Sequence, residues 1–497
     1  MIISDDDIKK ILSKKYKHFD SPLNKEELIS LLNNIEKIGF VEKYRFHPFI
    51  LFYKKRRTYK RSKNVLKIKE KVRPISLTSH RDAVIYRVYS EIISEKYENY
   101  LLNNDLTEIP TAYRKYKNMS NITSAKEAID KICFYNNCWI IKGDFDSFFD
   151  NIRHRKLTDN LKSVLNVDEL PQDWKSVLKS LTKYRFLDSK NLSHLINEGK
   201  MNRYKSRYVK DLKELGDLVH NKTLKLEGPN QVGIPQGTPL SAMLANIYMI
   251  EFDKKAKELI DEYEGFYRRY SDDFIIVVPK NKLTYEDIKN ILDKVILMSH
   301  NIVRLTIKNE KTKIYKYEHL KDANISRFLN DGSQTKSWFD YLGFKFNGQI
   351  VKMRDKSLYK FHYKSKKMLK HIANEERYRE YILSNFDEIQ DKKSKYEKRK
   401  KYLKRMPKTK KNELNINLIS YKINKINSLL SNIPQKKTGT FSYLTINNKR
   451  YSMVGYAKRA HEIFKCNDFG YESIIMKQIE NQIDKNKKYM GKLRNRE

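Results

Sequence analysis

Two adjacent carboxylates, Asp272 and Asp273, stand at the head of an unbroken apolar run, Phe274-Ile-Ile-Val-Val278. A strand buried on both faces cannot itself carry charge, so the pair belongs to a tight turn where the strand begins. Like charges that close together repel unless a cation lies between them, and a divalent metal with oxygen ligands is the natural occupant. A second apolar strand, Cys138-Trp-Ile-Ile141-Lys-Gly143, also ends in carboxylates, Asp144-Phe145-Asp146-Ser147-Phe148-Phe149-Asp150. Joining a phosphate to a hydroxyl on a growing strand needs two cations about 4 Å apart, one acidifying the hydroxyl and one holding the triphosphate. Two cations need carboxylates from at least two strands. Asp144 and Asp272 supply them, with Asp273 alongside.

The elements around these residues follow from spacing. Residues 1 to about 60 read as helical and then irregular, with apolar residues at helical spacing from Asn24 to Leu32 and a basic run, Lys54 to Arg61. That run fits either a solvated face or one that tracks phosphates. Alternation from Asn64 to Leu77 predicts a β-hairpin bearing Lys67 and Arg73, two cations suited to a triphosphate. A helix follows over Asp82 to Ile93, then a polar loop with Arg114. After a polar section from 153 to 230, read as helices and a surface insertion, a Gly/Pro loop (Gly233-Ile-Pro235-Gln236-Gly237) opens a helix that runs to Tyr248. At its mouth, free backbone N–H groups and the Gln236 amide can meet a nucleotide. Leu305 to Ile314, with Lys308, Lys311 and Lys313, places lysine near the same end of the sheet. The segment Phe339 to Val351 predicts a hairpin turning at Asn347-Gly348.

Up to that hairpin the chain reads as one α/β unit. The remainder, 351 to 497, holds 38 Lys+Arg against 15 Asp+Glu and is mainly helical. Ile419, Ile423, Ile426 and Leu430 fall at heptad-like spacing, Lys392 to Lys411 is almost a basic block, and Thr440 to Val454 reads as a small hairpin turning at Asn447-Asn448. The whole 497-residue chain carries a net charge of +41. A chain this basic repels itself unless it works beside polyanions, which makes nucleic acid the leading partner and leaves an anionic membrane surface well behind. No apolar run approaches the about 20 residues that cross a bilayer, and the acidic start is unlike a signal peptide. The expected location is the cytoplasm, with no membrane partner. Cys133, Cys138 and Cys466 form neither a disulfide framework nor a zinc set.

The residues quoted above also carry a family resemblance. Asp144 to Asp150 resembles the first catalytic motif of reverse transcriptases, Gly233 to Tyr248 their Pro-Gln-Gly motif, and Tyr270-Ser271-Asp272-Asp273 their Tyr-x-Asp-Asp box. Lys311-Thr312 resembles the motif that follows, and Tyr341-Leu342-Gly343 the primer-grip hairpin, all in order between Arg73 and Gly348. The resemblance implies an α/β right-hand polymerase. Its fingers and palm, with an antiparallel sheet, would span 61–346 after an N-terminal extension, 1–60. A basic, mainly helical thumb and C-terminal region, 347–497, would follow.

It further implies that Asp144 and Asp272 bind two Mg²⁺ or Mn²⁺ ions, aided by Asp273 and the Phe145 carbonyl. Phe149 matches the ring that blocks a 2′-hydroxyl. Lys67, Arg73 and Arg114 would hold the triphosphate of an incoming deoxynucleotide, Gln236 would touch its sugar or base, and Lys311 would protonate the pyrophosphate. Alternation could also place Asp146 beside Asp144, but the family's spacing to the aromatic gate selects Asp144. Asp150 is expected to cap the next helix, and Arg269 to anchor the turn or a template phosphate.

Departures from common patterns narrow the lineage. No Cys/His endonuclease cluster or ribonuclease H constellation follows residue 350, the retron Val-Thr-Gly signature is not seen, and no His has an Arg five positions before it. The chain is most similar to the defence-associated reverse transcriptases of bacteria, the abortive-infection and unknown-group lineages. That implies RNA-directed DNA synthesis against phage, templated by an associated noncoding RNA or primed by protein without a conventional template, in a chain able to form a homo-oligomer. The alternatives are a group II intron-type maturase, a retron-like enzyme, or a non-catalytic nucleic-acid-binding relic, the last opposed by the intact aspartates.

Overall fold

Two apolar runs that can leave neither face to water have to lie in the middle of a sheet, and they do so side by side. The computed structural model describes residues 3–62, 65–114, 119–319, 324–329, 331–406, 410–431, 441–446 and 452–495. The chain divides into two compact units, Met1–Ser337 and Trp338–Glu497.

In the first unit, β1 (Phe49–Ser62) and β2 (Val65–Leu77) form a long antiparallel hairpin, in register from Ile50 opposite Leu77 to Ser62 opposite Val65. Its base is buried at Ile50 and Leu51, while Phe52, Tyr53 and Arg73 are exposed. The basic run from Lys54 is therefore strand rather than irregular, and Asn64–Leu77 is half of a hairpin rather than a whole one. A boundary at residue 60 would cut through β1. The strand was hidden because Lys54 to Arg61 is mostly basic and shows no apolar alternation.

β3 (Asn137–Asp144) is central to a six-stranded sheet, and β4 (Phe186–Asp188) runs parallel to β1. The other strands are β5 (Phe266–Tyr270), β6 (Asp273–Pro279), β7 (Lys313–Glu318), β8 (Asn324–Phe328) and β9 (Gln334–Lys336). Their order is β5-β6-β3-β7-β8-β9, with every pairing antiparallel. Ile140, Ile141 and Ile275 to Val278 are fully buried. The helix Asn121–Phe134 packs on β3, β5 and β6. Ile141, Ile276 and Val278 share a core with the helices Pro239–Tyr248, Ile250–Asp261 and Tyr285–Met298. The 153–230 section does hold helices, and part of it forms a satellite core of Leu187, Leu192, Val209 and Leu215 with Phe19 and Ile50.

Carboxylates bind the start of the helix His80–Asn103, where the helix dipole favours negative charge. Asp20 accepts from the His80 and Arg81 amides at 3.0 and 2.9 Å, and Asp82 from Tyr44 and the His47 amide at 2.9 Å each. His18 lies among them, fully buried, its Nε2 3.2 Å from the Leu77 carbonyl at the end of β2. Burial pushes this imidazole down to about 4, against the opposing pull of Asp20 and Asp82. Between pH 6.5 and 4 the unfolded chain therefore binds the extra proton, and stability falls on acidification by about 3 kcal/mol. Asp20 does not alter this window. Burial acts to raise it, but its bonds to His80 hold it at about 2, so its contribution is lost only below its unfolded value. His47, which burial would lower but Asp82 raises, contributes fully below its unfolded value and loses that contribution only as pH rises above it, so it adds no slope within this window. The melting temperature is expected to drop between pH 7 and 4.5, and His18→Gln to flatten that slope.

In the second unit, β10 (Phe339–Tyr341), β11 (Phe344–Phe346) and β12 (Ile350–Met353) form an antiparallel meander, joined by β13 (Glu472–Ser473) in parallel. Phe344 packs on Phe464 with ring centroids 4.9 Å apart, which ties the 339–346 hairpin to this unit rather than to the sheet before it. The compact division thus falls at 337/338, ahead of the expected 346/347. The helices Asp355–Ser384 and Ile475–Arg494 pack together through Leu369, Ile372 and Met490. The helices Phe386–Lys404 and Lys410–Ser431 pair, burying Ile419 and Ile423. Phe441–Leu444 is helical rather than strand, and the expected turn at Asn447-Asn448 lies outside the described residues. Among the described residues no helix is long and apolar enough to cross a membrane.

Candidate active site

The pairing of β3 with β6 sets Asp144 opposite Asp273, and the β5–β6 turn carries Asp272 next to them. Ser271, at the head of that turn, has φ +59°, a conformation rare for a residue with a side chain. The turn is fastened to the end of β3 by a 2.9 Å bond from the Phe145 amide to the Asp272 carbonyl. The Phe145 ring is buried against Phe252 and Phe274, which fixes the backbone on which Asp144 stands.

The electrostatics are those of a site short of positive charge. Burial raises Asp272, and Asp144, which shares a hydrogen bond with it, raises it further. Asp273 is pushed up to about 6, first by burial and then by Asp272 and Asp144, with Lys142 and Lys311 opposing. The Lys311 amine lies on the Asp144 carboxylate. Lys308 lies 2.5 Å from Asp146 and 3.7 Å from Asp144, and its hydrogen bond is the main cause that lowers Asp146. Asp146 is thus occupied by a lysine. Lys308 had no assigned role from sequence, although its place three residues before Lys311 was the available signal.

Among the described residues no three carboxylate, imidazole or thiol side chains close on a single metal-ion position. The donor chemistry nevertheless fits a hard divalent cation. Asp144 and Asp272 offer oxygen donors that share a hydrogen bond and draw in a lysine amine, a demand such an ion meets.

The Gly233–Gly237 loop is built against Phe149, Asp150 and β2. Ile234 donates to the Phe149 carbonyl at 2.9 Å, and Ser76 of β2 donates to the Gln236 carbonyl at 3.0 Å. The Gln236 amide donates to Asp150 at 3.4 Å. Asp150 therefore does not cap the following helix, whose start at Arg153 has no side-chain cap. Gly237 has φ +130°, and a Cβ there would stand 2.8 Å from the Ser76 carbonyl. Gly237→Ala is expected to cost about 1 to 3 kcal/mol and to push β2 off the loop. A lowered denaturant midpoint together with a raised deoxynucleotide KM would register it.

Arg73 is exposed on β2, near the loop through Ser76, and the Lys67 side chain lies outside the described residues. Arg114 does not join them. Its guanidinium is buried, held by Glu98 (2.7 Å from Nε) and by the carbonyls of Pro110 (3.0 Å) and Thr107, so it is turned into the protein and not presented to a triphosphate. Sequence could not separate a buried arginine from an exposed one in a polar loop. Arg269 is also fully buried, which rules out a template phosphate in favour of the turn. In the second unit, Tyr341-Leu342-Gly343 make the β10–β11 turn, with φ +44° at Leu342 and +103° at Gly343.

A buried antiparallel sheet thus carries carboxylates at one end and a glycine-proline loop beside them. Residues 55–346 match the family model described as reverse transcriptase (RNA-dependent DNA polymerase). That is more than half of the chain, which belongs to this family and carries an RNA-directed DNA polymerase domain. No curated protein matches it. Among solved structures it is similar to apo telomerase from Candida tropicalis truncated from the C-terminal domain, with 12% identity, 61% of this chain, 55% of that one and a TM-score of 0.32. Telomerase from Candida albicans in complex with a fragment of telomeric RNA gives 12% identity, 95% and 68% coverage and a TM-score of 0.36.

Proposed function

We propose that the protein extends a DNA strand on an RNA template by two-metal phosphoryl transfer, with Asp144, Asp272, Asp273 and the Phe145 carbonyl holding the ions. The observation that carries this reading is the meeting of these three carboxylates across β3 and β6, inside the matched family region. Bound Mg²⁺ would acidify the attacking 3′-hydroxyl and neutralise charge on the triphosphate. The chain's own residues do the rest. Lys67 and Arg73, on a hairpin joined to the Gln236 loop, hold the triphosphate. Asp150 orients the Gln236 amide towards the sugar or base. The Phe149 ring excludes a 2′-hydroxyl. Lys311, already at Asp144, returns a proton to the pyrophosphate. Tyr341 to Gly343 grip the primer.

The proposed template is an associated noncoding RNA, and the proposed setting is bacterial antiphage defence, on the resemblance to that lineage. Protein-primed or untemplated synthesis belongs to the same lineage. A polyanionic partner is supported by the helix Phe386–Lys404, which buries no side chain fully and exposes Lys392, Lys395, Lys398, Arg399, Lys401 and Lys404. The test is to purify the full chain with the nucleic acid it retains, supply labelled deoxynucleotides and Mg²⁺, and sequence the products. Metal-dependent DNA complementary to a retained RNA supports the reading. Homopolymeric, protease-sensitive product points to protein-primed synthesis. Wild type indistinguishable from Asp272→Ala, with its RNA present, sinks it.

A further inference from the structure

A fully buried arginine is used here to hold a turn. Arg269, in β5 and two residues before Ser271, places Nε 2.8 and 3.1 Å from the two carboxylate oxygens of Asp253 and Nη2 2.6 Å from one of them. Its Nη1 donates to the Asn246 side-chain oxygen at 3.2 Å and to the Ser271 carbonyl at 3.1 Å. Asp253 also accepts from the Tyr267 hydroxyl at 2.8 Å, and Asn246 donates to the Ala112 carbonyl at 2.8 Å. The Arg269 backbone bonds to Ile109 and Thr111, at 2.9 Å each. The guanidinium therefore joins the helices Pro239–Tyr248 and Ile250–Asp261 to the turn that carries Asp272, and the Arg269 backbone adds the 109–112 loop.

We propose that Arg269 is a positioning residue for the site: its bond to the Ser271 carbonyl holds Ser271 in the left-handed region and so fixes Asp272 against Asp144. A buried ion pair alone is weak grounds for a role, since well-packed apolar groups often replace one without loss. Only the planar fork of arginine can bind a carboxylate with one edge while a further donor reaches the turn. A lysine ammonium in the same place can meet Asp253 but not the Ser271 carbonyl as well. Asn246 extends the anchor to the helix opened by the Gly233–Gly237 loop, so the aspartate turn and the nucleotide-facing loop share one fixed point.

This inference rests on the polymerase reading, and its test includes a measurement that needs no activity. In full-length Arg269→Lys, kcat is expected to fall about 100-fold with the deoxynucleotide KM within about threefold, the signature of misplaced rather than missing groups. In the metal-free protein, hydrogen exchange in the peptide over residues 267–274 should accelerate about tenfold while peptides from β7 and β8 do not change. Glycine adopts positive φ freely. Ser271→Gly added to Arg269→Lys should therefore recover about tenfold in kcat, because the turn no longer has to be held. Where Arg269→Lys melts below the assay temperature, Asp253→Glu/Arg269→Lys restores the reach of the ion pair, and kcat should stay low. Exchange at 267–274 equal to wild type, or full kcat in the Asp253→Glu double variant, would overturn the proposal. Absence of metal-dependent synthesis by wild type would instead overturn the polymerase reading, and the exchange data would still decide the role of Arg269.

Discussion

Asp272→Ala is expected to reduce metal-dependent deoxynucleotide incorporation by at least about 10³-fold, the scale of losing a group that stabilises transition-state charge, without lowering the melting temperature. The two halves of that result have one cause. Asp272 is raised by burial and by Asp144, so in the metal-free fold its negative charge is a burden. Removing it relieves repulsion with Asp144 and costs little packing at the tip of a turn. The phenylalanines beneath the turn, Phe145 and Phe274, keep their contacts. A loss of activity with an unchanged or raised melting temperature separates a chemical role from a folding one, whereas Gly237→Ala should lower both. If Asp272→Ala instead unfolds at lower temperature in proportion to its lost activity, the carboxylate is a structural cap and the metal assignment fails.

Phe149→Ala should admit ribonucleotides, improving their kcat/KM relative to deoxynucleotides by roughly 100-fold, the discrimination that a shape-based pocket supports. Phe149 is half-buried, its ring 5.5 Å from that of Phe148 in an edge-on contact, and its carbonyl is tied to Ile234 of the Gly233–Gly237 loop. The backbone bond is independent of the ring, so truncation should open space above the sheet without releasing the loop. The measurement is single-nucleotide incorporation of matched ribo- and deoxynucleotides. Unchanged discrimination would remove Phe149 from the gate and leave Gln236 as the next residue to test.

Much of the site was legible because burial writes itself into composition. Fully buried strands are continuous apolar runs, and the carboxylates that end them mark one end of the sheet, so Asp144, Asp272 and Asp273 could be placed together before any coordinates. The Gly233–Gly237 loop was legible as a helix mouth for a similar local reason, although the close approach of Gly237 to the Ser76 carbonyl was not. The outer part of β1 was not legible. Lys54 to Arg61 is almost all basic and carries no apolar alternation, so only its register with β2 reveals it as strand.

The sequence by itself determined which residue types meet at the end of the sheet and the net charge of +41 that any partner meets, because both depend on local order and on composition. Tertiary structure alone decided the fate of the cations. Arg114, Arg269, Lys308 and Arg73 look alike in a chain with 102 Lys+Arg, yet one is spent on Glu98, one on Asp253 and the turn, one on Asp146, and one is exposed on a hairpin. A guanidinium or ammonium takes its role from the carboxylate it reaches. Here those partners lie from 16 residues away, as in Arg114 with Glu98, to 162 away, as in Lys308 with Asp146. Only the folded chain brings them within hydrogen-bond distance.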